Sequence, residues 1–191
     1  SLYTLMKFFS SYGMEVFEIK HNKKVRTGST RFYVKNISNN NYKISQNVKT
    51  LYDKEIKYNF HKKNIYDEYA SKVELNKVQT IDLLKKLKSE GKSIIGYGAS
   101  GRGTVIMNYC NIDSKYLDYV VDDAPQKEGF YTPGTRLEIK SWDFVLESGY
   151  PDYIILFAWS FADEVIKKRN DFIEAGGKFI IPLPELTQFP N

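Results

Sequence analysis

Apolar and polar positions follow two different periods along this chain, and the switch between them marks its organisation. Leu2, Leu5, Met6 and Phe9 recur three or four residues apart and predict a short helix with Gly13 as its C-cap. Residues 14–19 alternate, with Val16 and Phe17 near the centre, and residues 31–35 (Arg-Phe-Tyr-Val-Lys) read as a second strand. One helix and two strands are too little to cover a sheet face, so the segment calls for a partner sheet that this chain does not supply. Residues 1–37 therefore read as the tail of an upstream domain. Residues 38–66 are rich in Asn, Lys, Tyr and Ser and read as a linker with one short helix around 47–59. A period near 3.6 returns at Tyr69, Val73, Val78, Ile81, Leu84 and Leu87 and stops at Gly91, which predicts a helix over 65–89 packed on the sheet that follows.

From Lys92 onward short apolar runs alternate with helical stretches. Strands are expected at 93–96, 117–122, 153–157 and 178–181, with a short extended piece at 136–139. Helices are expected at 101–110, 141–147 and 161–175, with Ser141 and Ser160 as N-caps and Gly176-Gly177 as a stop. Such alternation implies an α/β fold: a Rossmann-like parallel sheet with helices on both faces, occupying 67–191. Ligands in such sheets bind at the carboxyl ends of the strands. That edge carries residues 96–103, 122–127 and 157–160.

The first of these turns holds the chain's most informative spacing. Gly96, Gly98 and Gly101 form G-x-G-x-x-G within Gly96-Tyr97-Gly98-Ala99-Ser100-Gly101-Arg102-Gly103, with a strand before it and a helix after. Glycines let the backbone turn tightly and approach a ligand, and free N–H groups at the helix start favour a phosphate. Arg102 adds a planar cationic fork in the first helical turn. Asp122, 21 residues beyond Gly101, stands near the spacing of a ribose-binding acid, and Asp123 follows it. These carboxylates either bind ligand hydroxyls or cap the strand end. Tyr97, inside the loop, is expected to be exposed and to contact ligand. Lys127 either meets a substrate phosphate or is a surface lysine, and Trp159 either stacks on a base or sugar or packs half-buried.

Composition removes several classes of function. At 191 residues and 42% apolar content the chain can bury a real core, and no apolar run approaches a membrane span. The lone Cys110 excludes an internal disulfide framework and fits a reducing, cytoplasmic setting; in its helix it is expected to act as a small buried hydrophobe. With two histidines and one cysteine the chain cannot build a closed zinc site alone. The net charge of +5 resolves into +7 over residues 1–75 and −2 over the rest. The basic residues are scattered rather than striped, so a nucleic-acid platform is not expected.

Residues 96–103, together with Val121-Asp-Asp-Ala-Pro-Gln-Lys-Glu-Gly129 and Thr132-Pro-Gly-Thr135, resemble the C-terminal domain of bacterial sugar C-methyltransferases. Pro151-Asp-Tyr, Ala158-Trp159, Asp163-Glu164-Val and Gly176-Gly-Lys-Phe-Ile-Ile-Pro-Leu-Pro184 agree as well, so the resemblance runs through residues 92–186. Upstream, residues 1–35 are similar to the end of that family's S-adenosylmethionine-binding domain. The resemblance implies a three-part enzyme: a zinc-bearing N-terminal domain, a methyl-donor domain, and this domain, which binds a nucleotide-linked keto sugar. It implies zinc only in the N-terminal domain and S-adenosylmethionine bound mainly by the upstream methyl-donor domain, so that this chain alone would not methylate. Where the family carries His-Gly-Gly-Ser-x-Arg, this chain has Arg26-Thr27-Gly28-Ser29-Thr30-Arg31. Arg26 stays protonated and cannot abstract a proton, which leaves it enolate or phosphate binding, with His21 a conceivable substitute base.

Two other functions share the glycine loop. A nicotinamide-dependent oxidoreductase rests on the glycine spacing and Asp122, but a Tyr-x-x-x-Lys pair is not delivered there: Tyr116 is followed four residues on by Val120. A non-catalytic nucleotide-binding module would bind without turnover.

Overall fold

The computed structural model describes residues 1–22 and 28–190. The chain divides into two compact units, Ser1–Ser71 and Lys72–Asn191.

In the first unit, helix α1 (Leu2–Ser10) leads into an antiparallel pair, β1 (Met14–Asn22) and β2 (Ser29–Asn36). α1 closes at Ser11, two residues before the expected Gly13; that glycine instead provides a left-handed turn (φ +68°) into β1. A bulge between Val16 and Glu18 resets the alternation of β1, so Val16 and Ile19, three apart, both turn inward. They meet Leu2 from α1 and Val48 from α2 (Gln46–Lys57), with Met6, Phe9, Phe32, Val34, Leu51 and Tyr52 around them. The cover for this hairpin is therefore helical rather than a second sheet, and it includes a helix from the stretch expected to be a linker. Ser45 caps α2 through the Val48 amide, and its own amide donates to the Phe17 carbonyl at 2.8 Å.

The buried carboxylate of Glu55 joins α2 to α1, accepting from the amides of Leu2 (2.7 Å) and Tyr3 (2.8 Å) in the first turn of α1. These are donors that no helical carbonyl can satisfy, and the negative charge lies at the positive end of the helix. Glu55→Gln keeps only one good acceptor. It is expected to cost about 1 kcal/mol, read as roughly fivefold faster hydrogen exchange at the Leu2 and Tyr3 amides. Unchanged exchange would show that the contact holds nothing.

Helix α3 (Lys63–Ser89) runs through the boundary and brings Leu84 and Leu87 to the core of the second unit. There the order is β3 (Ile94–Tyr97), α4 (Gly101–Cys110), β4 (Val120–Val121), β5 (Ile139–Lys140), α5 (Trp142–Ser148), β6 (Tyr153–Leu156), α6 (Ala162–Lys168), α7 (Asn170–Glu174), β7 (Lys178–Ile181) and β8 (Thr187–Phe189). The sheet order is β5-β4-β3-β6-β7-β8, parallel throughout except for β8 against β7. The mostly parallel sheet flanked by helices is the Rossmann-like α/β fold expected from the pattern. Ile94, Ile155 and Phe157 pack with Leu84, Met107 and Cys110 on one face; Ile95, Tyr97, Ile154 and Leu156 pack with Trp142, Val145 and Phe172 on the other. Burial on both sides explains why these strands are continuously apolar. Cys110 is buried, and burial pushes its thiol pKa up.

Three local expectations change. The strand expected at 117–122 shortens to Val120–Val121, although backbone hydrogen bonds tie Asp118 and Tyr119 to β3 ahead of it and Asp122 to β5 after it. The single helix expected over 161–175 breaks at Arg169 (φ −112°, ψ 39°) into α6 and α7, because that side chain turns into the interior. Beyond the prolines that end β7, β8 adds an antiparallel edge strand that no local signal announced.

Candidate functional site

β3 connects to its neighbour β4 on one side, while β6 lies on its other side, so the chain's direction of winding reverses between β3 and β6. A cleft of about 370 Å³ opens there, at the carboxyl ends of both strands. Phe157, Ala158, Phe161 and Val165 form an apolar wall, while Tyr97, Ser100, Arg102, Asp122, Asp123 and Lys168 bring polar groups.

The glycine loop forms one rim, and its glycines have unequal tasks. Gly98 has φ +105°, and a Cβ there would stand 2.8 Å from the Ala158 Cβ. At Gly96 a Cβ would meet the Phe157 ring at 2.7 Å, and at Gly103 it would meet the Gly98 carbonyl oxygen at 2.5 Å. Gly101 has open space around it. The close approach of α4 to the strand ends thus belongs to Gly103 and not to the third glycine of the G-x-G-x-x-G spacing. Ser100 caps α4 by accepting from the Gly103 amide (3.3 Å). The Arg102 guanidinium crosses to the Ser160 hydroxyl (2.9 Å) and lies 5.8 Å from the Phe161 ring centre.

The opposite rim separates the two aspartates. Asp122 accepts from the Ala124 amide and from Lys127 Nζ, both at 2.9 Å, and the same ammonium reaches the Ala99 carbonyl at 3.0 Å. Lys127 is therefore a staple between the two loops rather than a solvated lysine. Asp123 accepts from the Tyr97 hydroxyl (2.7 Å), from Lys168 Nζ (2.7 Å) and from the Arg169 guanidinium. Partial burial acts to raise the Asp123 pKa. The Lys168 and Tyr97 hydrogen bonds and the two cationic charges outweigh it, so the carboxyl is held below the usual range.

Tyr97 corrects an expectation: it is 3% exposed, not open to solvent. It is the last residue of β3, and the strand's alternation sends its ring inward beside Trp142, leaving only the hydroxyl end at the cleft. Burial, then the bond to Asp123, pushes its pKa up. Trp159 is half-buried in a 3-10 turn (Trp159–Phe161) and lines a separate shallow hollow; of that turn's two aromatic residues it is Phe161 that lines the main cleft. Arg26 lies outside the described residues. His21, on β1, is exposed and shares a 2.9 Å hydrogen bond between Nδ1 and the Thr30 hydroxyl.

Sequence reasoning missed Lys168, Phe161 and above all Arg169, which is 9% exposed with its guanidinium 4.1 Å over the Trp142 ring. A signal was present: Val165, Arg169 and Phe172 share one apolar helical face, a position where an arginine needs a buried partner. Among the described residues no three His, Cys, Asp or Glu side chains are grouped to hold a metal ion, and no helix is long and apolar enough to cross a membrane.

Residues 24–184 match the family described as the C-methyltransferase C-terminal domain. The chain is also 29% identical over 186 residues to the C-methyltransferase NovU of Streptomyces niveus, an alignment covering 97% of this chain and 43% of that protein. The chain thus spans less than half the length of this curated relative. With its match running from β2 through the glycine loop to the end of β7, the chain belongs to the C-methyltransferase C-terminal domain family.

Proposed function

We propose that this chain is the substrate-binding part of an S-adenosylmethionine-dependent C-methyltransferase, and that the cleft between β3 and β6 holds a nucleotide-linked keto sugar. The observation that carries the reading is the composition of that cleft. A cationic fork at Arg102 and the first turn of α4 suit a diphosphate, the Phe161 wall suits a ring, and the aspartate pair presents a carboxylate for hydroxyls. In this reading residues 1–37 continue an upstream methyl-donor domain, which binds most of the donor, and zinc belongs to a further N-terminal domain. In the complete protein a base removes the proton α to the ketone, and the enolate carbon takes the donor's methyl group as the thioether leaves. Arg26 would stabilise that enolate or a phosphate rather than act as the base.

The oxidoreductase reading needs an acid free to take the adenosine ribose. Asp122, at the expected spacing, has one oxygen on the Ala124 amide and the other on Lys127, which is itself tied to the glycine loop. This arrangement removes the carboxylate on which that reading rested, and the parallel titration decides between the two ligands.

Calorimetric titration of the chain with a nucleoside-diphosphate sugar, NADH and S-adenosylmethionine in parallel tests the reading. The sugar nucleotide is expected to bind, and Arg102→Ala to weaken it by about tenfold, the worth of one charge-assisted contact. NADH binding without a response to the sugar nucleotide would overturn the proposal in favour of the oxidoreductase.

A further inference from the structure

We infer that Asp123, anchored from beneath by the buried Arg169, is the carboxylate that reads a vicinal diol of the ligand, which takes the place of Lys168. The inference rests on the proposed sugar-nucleotide reading and assigns the diol to one of two adjacent aspartates.

The two carboxylates differ in what their oxygens have left to accept. Asp122 is 12% exposed at its side chain, and both oxygens serve the loop. Asp123 is 41% exposed at its side chain and lines the cleft. Among the described residues its Oδ1 accepts only from Arg169, leaving a second lone pair, while Oδ2 accepts from Tyr97 and Lys168. A vicinal diol matches this pair of positions. One hydroxyl donates to Oδ1, and the other donates to Oδ2 where the ammonium now sits.

The two cations on Asp123 are held very differently. Lys168 is 52% exposed, and an ammonium leaving such a pair regains water at little cost. Arg169 is 11% exposed at its side chain, stacked over Trp142, and the Nη2 that meets Asp123 also donates to the Tyr97 hydroxyl at 3.3 Å. Among the described residues its buried Nε has no hydrogen-bond partner, so the guanidinium is placed by the Trp142 ring, by Asp123 and by the Tyr97 hydroxyl. Arg169 is thus a positioning residue: it compensates and orients Asp123 when Lys168 departs. The break between α6 and α7 is what lets two consecutive residues reach the same carboxylate, one from solvent and one from the interior.

A vicinal diol has two sources in a sugar nucleotide, the ribose and the hexose. UDP-glucose carries both, and dTDP-glucose lacks the ribose diol. With the 191-residue chain, Asp123→Asn is expected to weaken UDP-glucose at least about tenfold, the worth of hydrogen bonds to a charged group. An equal loss with dTDP-glucose assigns the hexose diol, and no loss with it assigns the ribose. Asp122→Asn is expected to weaken the same probe less. Arg169→Met is expected to match the loss of Asp123→Asn, with Arg169→Lys restoring part of it. In a Trp159→Phe background, Trp142 emission verifies that each variant is folded and reports ligand arrival at Asp123. Lys168→Met, at a half-exposed position, is expected to tighten the phosphate-free probe about two- to fivefold by removing the competitor; that probe is uridine for a ribose diol and methyl glucoside for a hexose diol. Wild-type affinity in a folded Asp123→Asn variant overturns the assignment alone. Failure of the wild type to bind either sugar nucleotide overturns the functional reading and the assignment with it.

Discussion

Phe157→Ala is expected to destabilise residues 72–191 by about 3–5 kcal/mol and to abolish ligand binding in the cleft. The side chain is fully buried between the sheet and α4, so its removal leaves a cavity that rigid neighbours cannot fill. Its ring lies against the backbone of Gly96, and its Cβ faces Gly103. The Phe157 amide donates to the Tyr97 carbonyl at 2.9 Å at the point where β3 and β6 part. One side chain thus sets the spacing between the glycine loop and the opposite wall of the cleft. Phe157→Leu keeps most of the volume and is expected to cost less than about 1.5 kcal/mol. Both tryptophans, Trp142 and Trp159, lie in this unit, so their emission during urea unfolding reports on it without interference from residues 1–71. Equal midpoints for the Ala and Leu variants would show that the cavity is unimportant.

The second large effect separates two glycines that look alike on paper. Gly103→Ala is expected to cost about 2 kcal/mol, the upper part of the overpacking range less what alanine gains in a helix. The obstacle is the Gly98 carbonyl oxygen, 2.5 Å from the new Cβ, and a backbone atom cannot rotate away. Relief requires α4 to move from the strand ends, which pulls Arg102 from the cleft mouth, so sugar-nucleotide affinity falls with stability. Gly101→Ala meets nothing within 4 Å and is expected to be neutral, or stabilising by about 0.5 kcal/mol through a stiffer unfolded chain. Urea midpoints of the two variants check the contrast, and the reverse order would refute the packing role of Gly103.

Ser100 and Arg102 make the functional half of the same helix start. Ser100 satisfies one orphan amide of the first turn, and among the described residues the amides of Gly101 and Arg102 have no protein acceptor. The cap by Ser100 was not read from the loop's composition, whereas the free amides and the cation of Arg102 were legible there. Which aspartate faces the cleft was not, because Asp122 and Asp123 are neighbours with the same chemistry and differ only in what reaches them. Lys127 and the Ala124 amide come from nearby in the chain, but Arg169 arrives from 46 residues away.

The sequence by itself determined what depends on neighbours along the chain. Short continuous apolar runs, Ser and Gly punctuation and the strand–glycine–helix junction were sufficient for the α/β alternation and the parallel sheet, while the family was read from the resemblance of residues 92–186. These follow from local conformational preference and from the two faces a parallel strand must bury. Tertiary structure decided whatever depends on residues that meet only when the sheet assembles. It covered the β1–β2 hairpin with α2 and inserted a bulge that turns Ile19 inward. It buried Tyr97 and gave close packing to Gly103 instead of Gly101. It also broke the last long helix at Arg169 so that a buried cation could reach Asp123. Each of these is settled by excluded volume or by a charge that must be compensated, and neither is visible until the partner is in place.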